Sequence, residues 1–226
     1  MILQPDKPIK SASSKPLSKR GSFQFRNKLE QYFSLTQLDR VMLAYDFSKY
    51  GHHKQFRDDG TRYFNHPRSV AQMIVHELKV IDEQSVLVAL LHDILEDSFL
   101  LSFDRIRKFF GENVAASVNW VTKSKKCKGG LFFKRLHNTR NWRSVLVKIA
   151  DRIHNLRTLY NCPLEKITKQ IKETRKYYFD LCDLLENIIP SKHRHCALYT
   201  REQLEYLCSH YENSSNPPKI KRGQII

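Results

Sequence analysis

The stretch VALLHDILEDSF, residues 88–99, decides how this chain folds. With the residues before it, its apolar positions form a wide stripe at helical spacing, which is typical of a helix buried in a protein core. The run then ends in one histidine and three carboxylates within six positions. Because a buried charge is costly unless it is paired or bound to a cation, a compensating partner must lie nearby.

The same helical periodicity recurs along most of the chain, and no segment shows the alternation of a half-buried strand. Pro67 suits the first turn of one helix, Asp82 suits the N-cap of the next, and Gly111 separates two short ones. The sequence therefore predicts an all-α fold, with helices near residues 29–52, 67–78, 83–95, 103–110, 114–121, 145–159, 164–189 and 201–211.

A chain of 226 residues, 41% of them hydrophobic, is long enough to form one domain with a sizeable core. We expect a disordered basic tail at residues 1–25, a folded domain at 26–212 and a basic C-terminal tail at 213–226. No apolar run approaches the roughly 20 residues of a membrane span, and no signal peptide is evident. Five irregularly spaced cysteines predict reduced thiols. Together these features predict a cytoplasmic protein with no membrane segment.

The net charge of +16 raises the question of nucleic-acid binding. The excess is confined to the two tails and to residues 123–143, and the remainder of the chain is close to neutral. Such a distribution favours a solvated or phosphate-attracting surface over a dedicated duplex-binding face. A contact with tRNA through the basic segments stays open.

The polar end of the opening stretch has the residue types of a metal site. Positions four apart share a helix face, so His92 projects with Glu96, while Asp93 and Asp97 project from the neighbouring strip. Mixed nitrogen and oxygen ligands suit manganese or magnesium better than a thiolate-bound structural zinc. A lone His-Asp pair is also common in surface ion pairs and helix caps, so this pattern needs support from elsewhere in the chain.

That support comes from VLVKIADRIHNLRTL, residues 145–159, where Asp151 lies within an apolar helical pattern. An unpaired aspartate on a substantially buried helix is unfavourable. Asn155 and, two turns on, Thr158 lie on the same side as this carboxylate. The two helices therefore offer imidazole, carboxylate and neutral polar groups for one site.

Four tracts resemble, in order, the HD-domain hydrolases of the RelA/SpoT type, which remove pyrophosphate from the 3′ position of guanosine alarmones. The tracts are HHKQFRDDGTRYFNHP (52–67), ALLHDILEDS (89–98), FGENVAASVNWVTK (110–123) and SVLVKIADRIHNLRTL (144–159). The resemblance implies an HD-domain helical bundle that hydrolyses guanosine tetra- and pentaphosphate with one Mn²⁺ ion. Since no synthetase or regulatory domain follows, it also implies a small, stand-alone alarmone hydrolase.

The resemblance also implies roles for individual residues. The metal ligands are expected to be His52, His92, Asp93 and Asp151. Glu96 and Asp97 take the place of the carboxylates that activate water, and His66 is expected to buttress the site. The residues expected to bind substrate are Arg57, Lys148, Asn155 and Thr158.

The chain departs from the family pattern after Arg57, where Asp58 and Asp59 replace the common Lys-Ser. An acid near a polyphosphate weakens attraction there, so the base that is selected stays open. Two alternatives follow. One is an HD phosphohydrolase for an adenosine alarmone, a phosphorylated nicotinamide dinucleotide or a pyrophosphorylated tRNA end. The other is a non-catalytic nucleotide-binding or RNA-binding protein on the same scaffold.

Overall fold

The computed structural model describes residues 19–97, 101–124, 127 and 129–213, and helices account for most of them. The α-helices are α1 (Lys19–Leu29), α2 (Leu35–Gly51), α3 (Asn65–His76), α4 (Glu83–Leu91), α5 (Ile94–Asp97), α6 (Phe103–Phe110), α7 (Glu112–Val121), α8 (Gly130–Thr139), α9 (Trp142–Arg157), α10 (Leu164–Ile188) and α11 (His195–Asn213). Within these described ranges, β-structure is limited to isolated bridges between Phe56 and Arg62 and between Ser124 and Cys127. The predicted all-α class is confirmed.

Helix α4 lies at the centre of the fold, and every residue from Ser85 to Leu91 is buried. A helix that is apolar all round must be covered on every side. Helices α2, α3, α7 and α9 provide this cover, and α10 and α11 pack against α9 and against each other. The polar residues that follow Leu91 are therefore held between α3 and α9, the two helices that carry the rest of the site.

The helix predicted over residues 83–95 is broken at His92 and Asp93, which form a turn between α4 and α5. The Glu96 amide donates to the Asp93 carbonyl at 3.1 Å, an i to i−3 bond that tightens the chain here. In a regular α-helix, consecutive side chains point about 100° apart. The turn allows both His92 and Asp93 to reach one point.

Helix α1 begins at Lys19, so the predicted boundary after residue 25 is placed too late. Phe25 and Leu29 are fully buried, and the Phe25 ring lies 5.0 Å from that of Tyr45. Spaced four apart, these two residues form the apolar face that docks α1 on α2. The rest of the predicted tails, residues 1–18 and 214–226, lies outside the described residues.

Helix α8 was not predicted, although Phe132, Phe133 and Leu136 give it a buried face at helical spacing. Its Arg135 guanidinium donates to the Thr122 carbonyl at 2.7 Å, just beyond the end of α7. Satisfying a carbonyl at a helix C-terminus stabilises that end. Arg135 thereby fixes the backbone that leads into residue 123, which borders the site.

The loop between α2 and α3 presents Arg57. Its backbone amide donates to the Thr61 carbonyl at 2.9 Å, and the Gly60 amide donates to the Arg57 carbonyl at 2.9 Å. Gly60 has a φ of +75°, a left-handed conformation that glycine adopts without strain. This short turn holds Arg57 at a defined place beside α9.

The five cysteines are free thiols, as predicted. The helices within the described ranges include none long and apolar enough to cross a membrane.

Replacing Asp82 is expected to lower stability in a pH-dependent way. Its carboxylate caps α4 by accepting from the Ser85 amide at 2.8 Å and pairs with both sides of the Arg143 guanidinium at 2.7 and 2.8 Å. Burial alone would raise the pKa of Asp82, but Arg143 and the cap outweigh it and lower the pKa. This stabilisation is therefore present above the unfolded-state pKa of about 3.9 and is lost as the pH falls through and below it.

At pH 7, Asp82→Ala is expected to lower the free energy of unfolding by about 2 kcal/mol, and Asp82→Asn, which keeps the cap, by about 1 kcal/mol. Urea denaturation at pH 7 and at pH 3 measures both values, and the deficit of Asp82→Asn should shrink at the lower pH. An equal deficit of Asp82→Asn at both pH values would show that loss of the charged pair with Arg143 is not its cause.

Candidate active site

The turn after α4 orients the His92 ring so that Nδ1 is hydrogen-bonded to the backbone and Nε2 points toward α3 and α9. Nδ1 lies 2.8 Å from the Ala89 carbonyl oxygen, so Nδ1 carries the hydrogen. This bond fixes the tautomer and leaves Nε2 to face its neighbours, an arrangement typical of metal-binding histidines. His92 is 1% exposed.

Four side chains from three segments meet at this point, and we call them the HD cluster: His66, His92, Asp93 and Asp151. His66 Nε2 lies 3.0 Å from Asp151 Oδ1, 3.2 Å from His92 Nε2 and 3.7 Å from Asp93 Oδ2. His92 Nε2 lies 3.1 Å from Asp93 Oδ2 and 3.7 Å from Asp151 Oδ1. The Nε2 atoms of His66 and His92 and an oxygen of Asp151 thus lie close enough to one another to share one ion, and Asp93 Oδ2 lies beside the two imidazoles.

This geometry fits a divalent cation. An octahedral ion with ligands at about 2.1 Å separates neighbouring ligand atoms by about 3 Å, close to the spacing in the HD cluster. Residues around the cluster satisfy the remaining polar atoms: the Tyr63 hydroxyl donates to Asp93 at 2.8 Å, and Asn155 Nδ2 donates to Asp151 at 2.6 Å. Such supporting bonds orient ligands and are expected around a metal site.

The fourth member of the cluster is His66, so the prediction of His52 as a ligand is corrected. The Nδ1 atom of His52 lies 2.7 Å from Gln55 Oε1, and its ring packs on that of Tyr63 at 4.8 Å between centroids. Among the described residues, the ligand atoms that lie mutually close enough for one metal ion belong to His66, His92 and Asp151. Neither His52 nor Asp93 is in this group, but Asp93 Oδ2 lies 3.1 Å from His92 Nε2. His52 thus supports Tyr63, which in turn binds Asp93.

A signal for His66 was present in the sequence. It lies in the first turn of α3 and shares its face with Val70 and Ile74, both fully buried. That face packs against α4 and α9, which carry the other members of the HD cluster. His66 Nδ1 lies 2.9 Å from His154 Nδ1, which leaves Nε2 for the cluster. A histidine on the core face beside two ligand-bearing helices is a better candidate than one in the preceding loop.

Charge within the HD cluster is shared among its members. Burial lowers the pKa of His92, but Asp93 and Asp151 outweigh it and raise the pKa to about 10. Burial lowers the pKa of His66. Burial opposes ionisation of Asp151, yet Lys148 and the two imidazoles hold its pKa below the usual value. Both carboxylates are therefore ionised at neutral pH and attract a cation.

Glu96 borders the HD cluster from the short helix α5. Its side chain is exposed, and one carboxylate oxygen accepts from the backbone amide of Lys123. It lines a polar pocket of about 170 Å³ together with three members of the cluster, His66, Asp93 and Asp151. The side chain of Asp97, the last residue of α5, lies outside the described part of the structure.

Three of the four predicted substrate-binding residues lie together. Arg57 Nη2 donates to Asn155 Oδ1 at 2.9 Å and to Thr158 Oγ1 at 3.2 Å. They line a second pocket, which shares Asn155 and Gln170 with the pocket at the HD cluster. The fourth residue, Lys148, is buried and donates to Asp151 Oδ2 at 3.0 Å. It therefore lies at the HD cluster.

The acidic departure from the family pattern is compensated locally. The Asp58 carboxylate pairs with Lys166 of α10 and accepts from the Cys162 thiol at 3.6 Å. The Lys166 hydrogen bond, more than the opposing effect of burial, lowers the pKa of Asp58. The acid that replaces the family's lysine thus meets a lysine from another helix, and the second pocket keeps a near-neutral rim.

One wall of the polar pocket contains none of the predicted site residues. It is formed by Lys123, Arg152, Glu173 and Tyr178. Arg152 Nη2 pairs with Glu173 and also donates to the Tyr178 hydroxyl at 3.1 Å. The signal for Arg152 was its position: it is a charged residue next to a ligand on a helix that is otherwise buried.

Comparison with known proteins identifies the family of this chain. Residues 44–183, well over half of the chain, match the family described as HD domain. A protein named GTP pyrophosphokinase, from Myxococcus xanthus, is 36% identical over 169 residues, which are 70% of this chain and 22% of that protein. A guanosine-3′,5′-bis(diphosphate) 3′-pyrophosphohydrolase from Aquifex aeolicus is 33% identical over 182 residues, 75% of this chain and 25% of that protein.

The chain thus spans about a quarter of the length of these relatives. A solved structure described as a metazoan ortholog of SpoT that hydrolyzes ppGpp superposes with a TM-score of 0.58 at 25% identity. The match covers 73% of this chain and 94% of that one, so the shared part is nearly the whole of the solved chain. The chain belongs to the HD domain family.

Proposed function

We propose that this protein is a metal-dependent hydrolase that removes pyrophosphate from the 3′ position of guanosine tetra- and pentaphosphate, leaving GDP and GTP. The observation that carries the proposal is the HD cluster beside an exposed carboxylate, Glu96, in one polar pocket. The relatives named as guanosine-3′,5′-bis(diphosphate) 3′-pyrophosphohydrolase and as a SpoT ortholog that hydrolyzes ppGpp support the same substrate class.

The residues His66, His92, Asp93 and Asp151 would hold the ion. Mn²⁺ suits this donor set because it binds hard carboxylate oxygens and also accepts the borderline nitrogens of imidazole. Such an ion, when bound, makes water more acidic and stabilises negative charge on phosphoryl oxygens. Lys148 keeps the carboxylate of Asp151 ionised and oriented toward the cluster.

Glu96 is placed to act as the base. Its carboxylate lies at the open side of the pocket, and the Lys123 amide fixes one of its oxygens. The other oxygen can then accept a proton from a water that attacks the 3′ α-phosphorus. Asp97 is proposed to assist by orienting this water. The bond between the phosphorus and the 3′ oxygen breaks, the proton is finally delivered to that oxygen of the nucleoside, and the attacked phosphoryl group leaves as part of pyrophosphate.

The two adjoining pockets suit the two ends of the substrate. We infer that the 3′-diphosphate lies in the pocket at the HD cluster and the nucleoside in the pocket of Arg57 and Thr158, with Asn155 between them. The planar guanidinium of Arg57 can stack on a base. Because Asn155 and Thr158 already hold the Arg57 side chain by hydrogen bonds, that side chain loses little conformational freedom when the nucleoside binds.

Charge in the polar pocket supports an anionic substrate only when a cation is present. Its lining carries four carboxylates and three cationic side chains, a formal charge of −1. A divalent ion changes this to +1. Substrate attraction therefore depends on the metal, which is consistent with hydrolysis that requires it.

The experiment is chromatography of reaction products after incubation with Mn²⁺ and a panel of guanosine tetraphosphate, adenosine tetraphosphate, phosphorylated nicotinamide dinucleotide and pyrophosphorylated tRNA. We expect GDP and pyrophosphate from the guanosine substrate, and no turnover after removal of metal with EDTA until Mn²⁺ is restored. Turnover of another substrate in the panel, with the guanosine compound untouched, would contradict the proposed substrate.

The free thiols accord with a cytoplasmic location for this activity.

A further inference from the structure

Arg152 has hydrogen-bonding capacity that the protein does not use. The residue is 4% exposed and lines the polar pocket at the HD cluster. Its Nη2 atom is occupied by Glu173 and Tyr178, but Nε and Nη1 are buried and have no hydrogen-bond partner among the described residues. Leaving such donors unsatisfied is costly, so a ligand that accepts hydrogen bonds is their expected partner.

Glu173 is shared by two cations on this wall. One carboxylate oxygen contacts Arg152, and the other lies 3.5 Å from Lys123 Nζ. One negative charge thus faces two positive charges. The wall keeps a surplus positive charge, and it lines the same pocket as His66, Asp93 and Asp151 of the HD cluster.

The Arg152 side chain is held in place from several directions. Its guanidinium stacks over the Tyr178 ring, with Cζ 4.4 Å from the ring centroid. Tyr178 is itself buried on α10, and Arg152 follows Asp151 directly on α9. A guanidinium fixed in this way loses little further side-chain freedom on binding. Its two possible bidentate pairs, Nε with Nη2 and Nη1 with Nη2, both include the nitrogen that Glu173 occupies, so a phosphate binds through two nitrogens when it takes the place of Glu173.

We propose that Arg152 and Lys123 form the subsite for the diphosphate group of the substrate, and that Glu173 competes with this group for the two cations. The inference rests on the proposed function, which places a diphosphate in this pocket. When the anion binds, Arg152 gains acceptors for its free nitrogens. When pyrophosphate leaves, Glu173 restores the ion pairs, so release of the product is favoured.

The test uses two variants with effects of opposite sign. Arg152→Lys keeps the positive charge but replaces the paired nitrogens of the guanidinium with a single ammonium group. This variant should therefore bind inorganic pyrophosphate about 10-fold more weakly. Glu173→Gln removes the competitor, so it should bind pyrophosphate about 3-fold to 10-fold more tightly. The control is Arg143→Lys, since Arg143 pairs with Asp82 and does not line the pocket. Its affinity for pyrophosphate should equal that of the wild type.

The dissociation constant is measured by calorimetry with full-length protein carrying one equivalent of Mn²⁺, and Mn²⁺ affinity is measured separately by equilibrium dialysis. A purely structural role for the ion pair would weaken binding in both variants, and that result would overturn the proposal. Unchanged binding in Arg152→Lys would overturn it as well. If this variant does not fold, Glu173→Gln decides: tighter binding supports the subsite, and equal or weaker binding refutes it.

Calorimetry with pyrophosphate does not require turnover, so it separates this proposal from the proposed function. If the protein leaves guanosine tetraphosphate intact but the two variants shift pyrophosphate affinity in opposite directions, the subsite stands and the substrate assignment fails. If hydrolysis occurs but neither variant shifts the affinity, the assignment stands and the subsite fails.

Discussion

His66→Ala is expected to lose bound Mn²⁺ and to reduce kcat/KM by about 1000-fold or more. His66 Nε2 lies within 3.0–3.7 Å of ligand atoms on His92, Asp93 and Asp151, so its removal opens the coordination sphere of the HD cluster. A catalytic ion supplies several kcal/mol of stabilisation to the transition state, and each 1.4 kcal/mol is tenfold in rate. Metal content is read by elemental analysis after gel filtration, and turnover by chromatography.

The matched control is His52→Ala, because the two histidines lie in the same tract and are both buried. His52 acts through Tyr63, so this variant should retain the metal and lose no more than about tenfold in turnover, the lower end for residues that support ligands. If His52→Ala loses the ion while His66→Ala keeps it, the assignment of the cluster from the structure is wrong.

Glu96→Gln is expected to retain Mn²⁺ and to lower kcat by about 100-fold to 10,000-fold, because glutamine cannot accept the proton from water. The side chain does not belong to the HD cluster, so metal affinity should equal that of the wild type. Measurement of kcat and KM separately locates the loss: a change in kcat at constant KM indicates an interaction made in the transition state.

A companion variant, Asp97→Asn, separates the two carboxylates. Glu96 accepts from the Lys123 amide, so glutamine can keep the position of the side chain while losing its basicity. If Asp97→Asn lowers kcat more than Glu96→Gln does, Asp97 is the base and Glu96 the orienting group. Full activity in Glu96→Gln would contradict the mechanism as proposed.

The fold class was predictable because helical periodicity is a local property of the sequence. The apolar run ending at Leu91 predicted a helix in the protein core, and α4 is such a helix. The break at His92 and Asp93 was not predictable, since the apolar stripe continues through Ile94 and Leu95. Convergence of two consecutive side chains on one cluster depends on tertiary structure, and it overrides the periodicity there.

The site was partly predictable for a related reason. Asp151, Asn155 and Thr158 share one helix face, so their proximity follows from spacing alone. The choice between His52 and His66 needed the packing of α3 against α4 and α9. The ion pair between Arg152 and Glu173 joins residues that are 21 positions apart in the sequence and lie on two different helices, so no local pattern reveals it.

Helix α9 carries Asp151 of the HD cluster, and its C-cap residue Thr158, seven residues further on, is the proposed nucleoside contact. At about 1.5 Å per residue these positions are about 10 Å apart along a rigid rod. Because the helix is rigid, it fixes the distance between the cleaved phosphorus and the base. A substrate with a longer or shorter link between these two groups would fail to contact either the HD cluster or Thr158. Inserting a single residue between Asp151 and Thr158 would rotate Thr158 by about 100° around the helix axis. The two residues could then no longer contact the same substrate molecule.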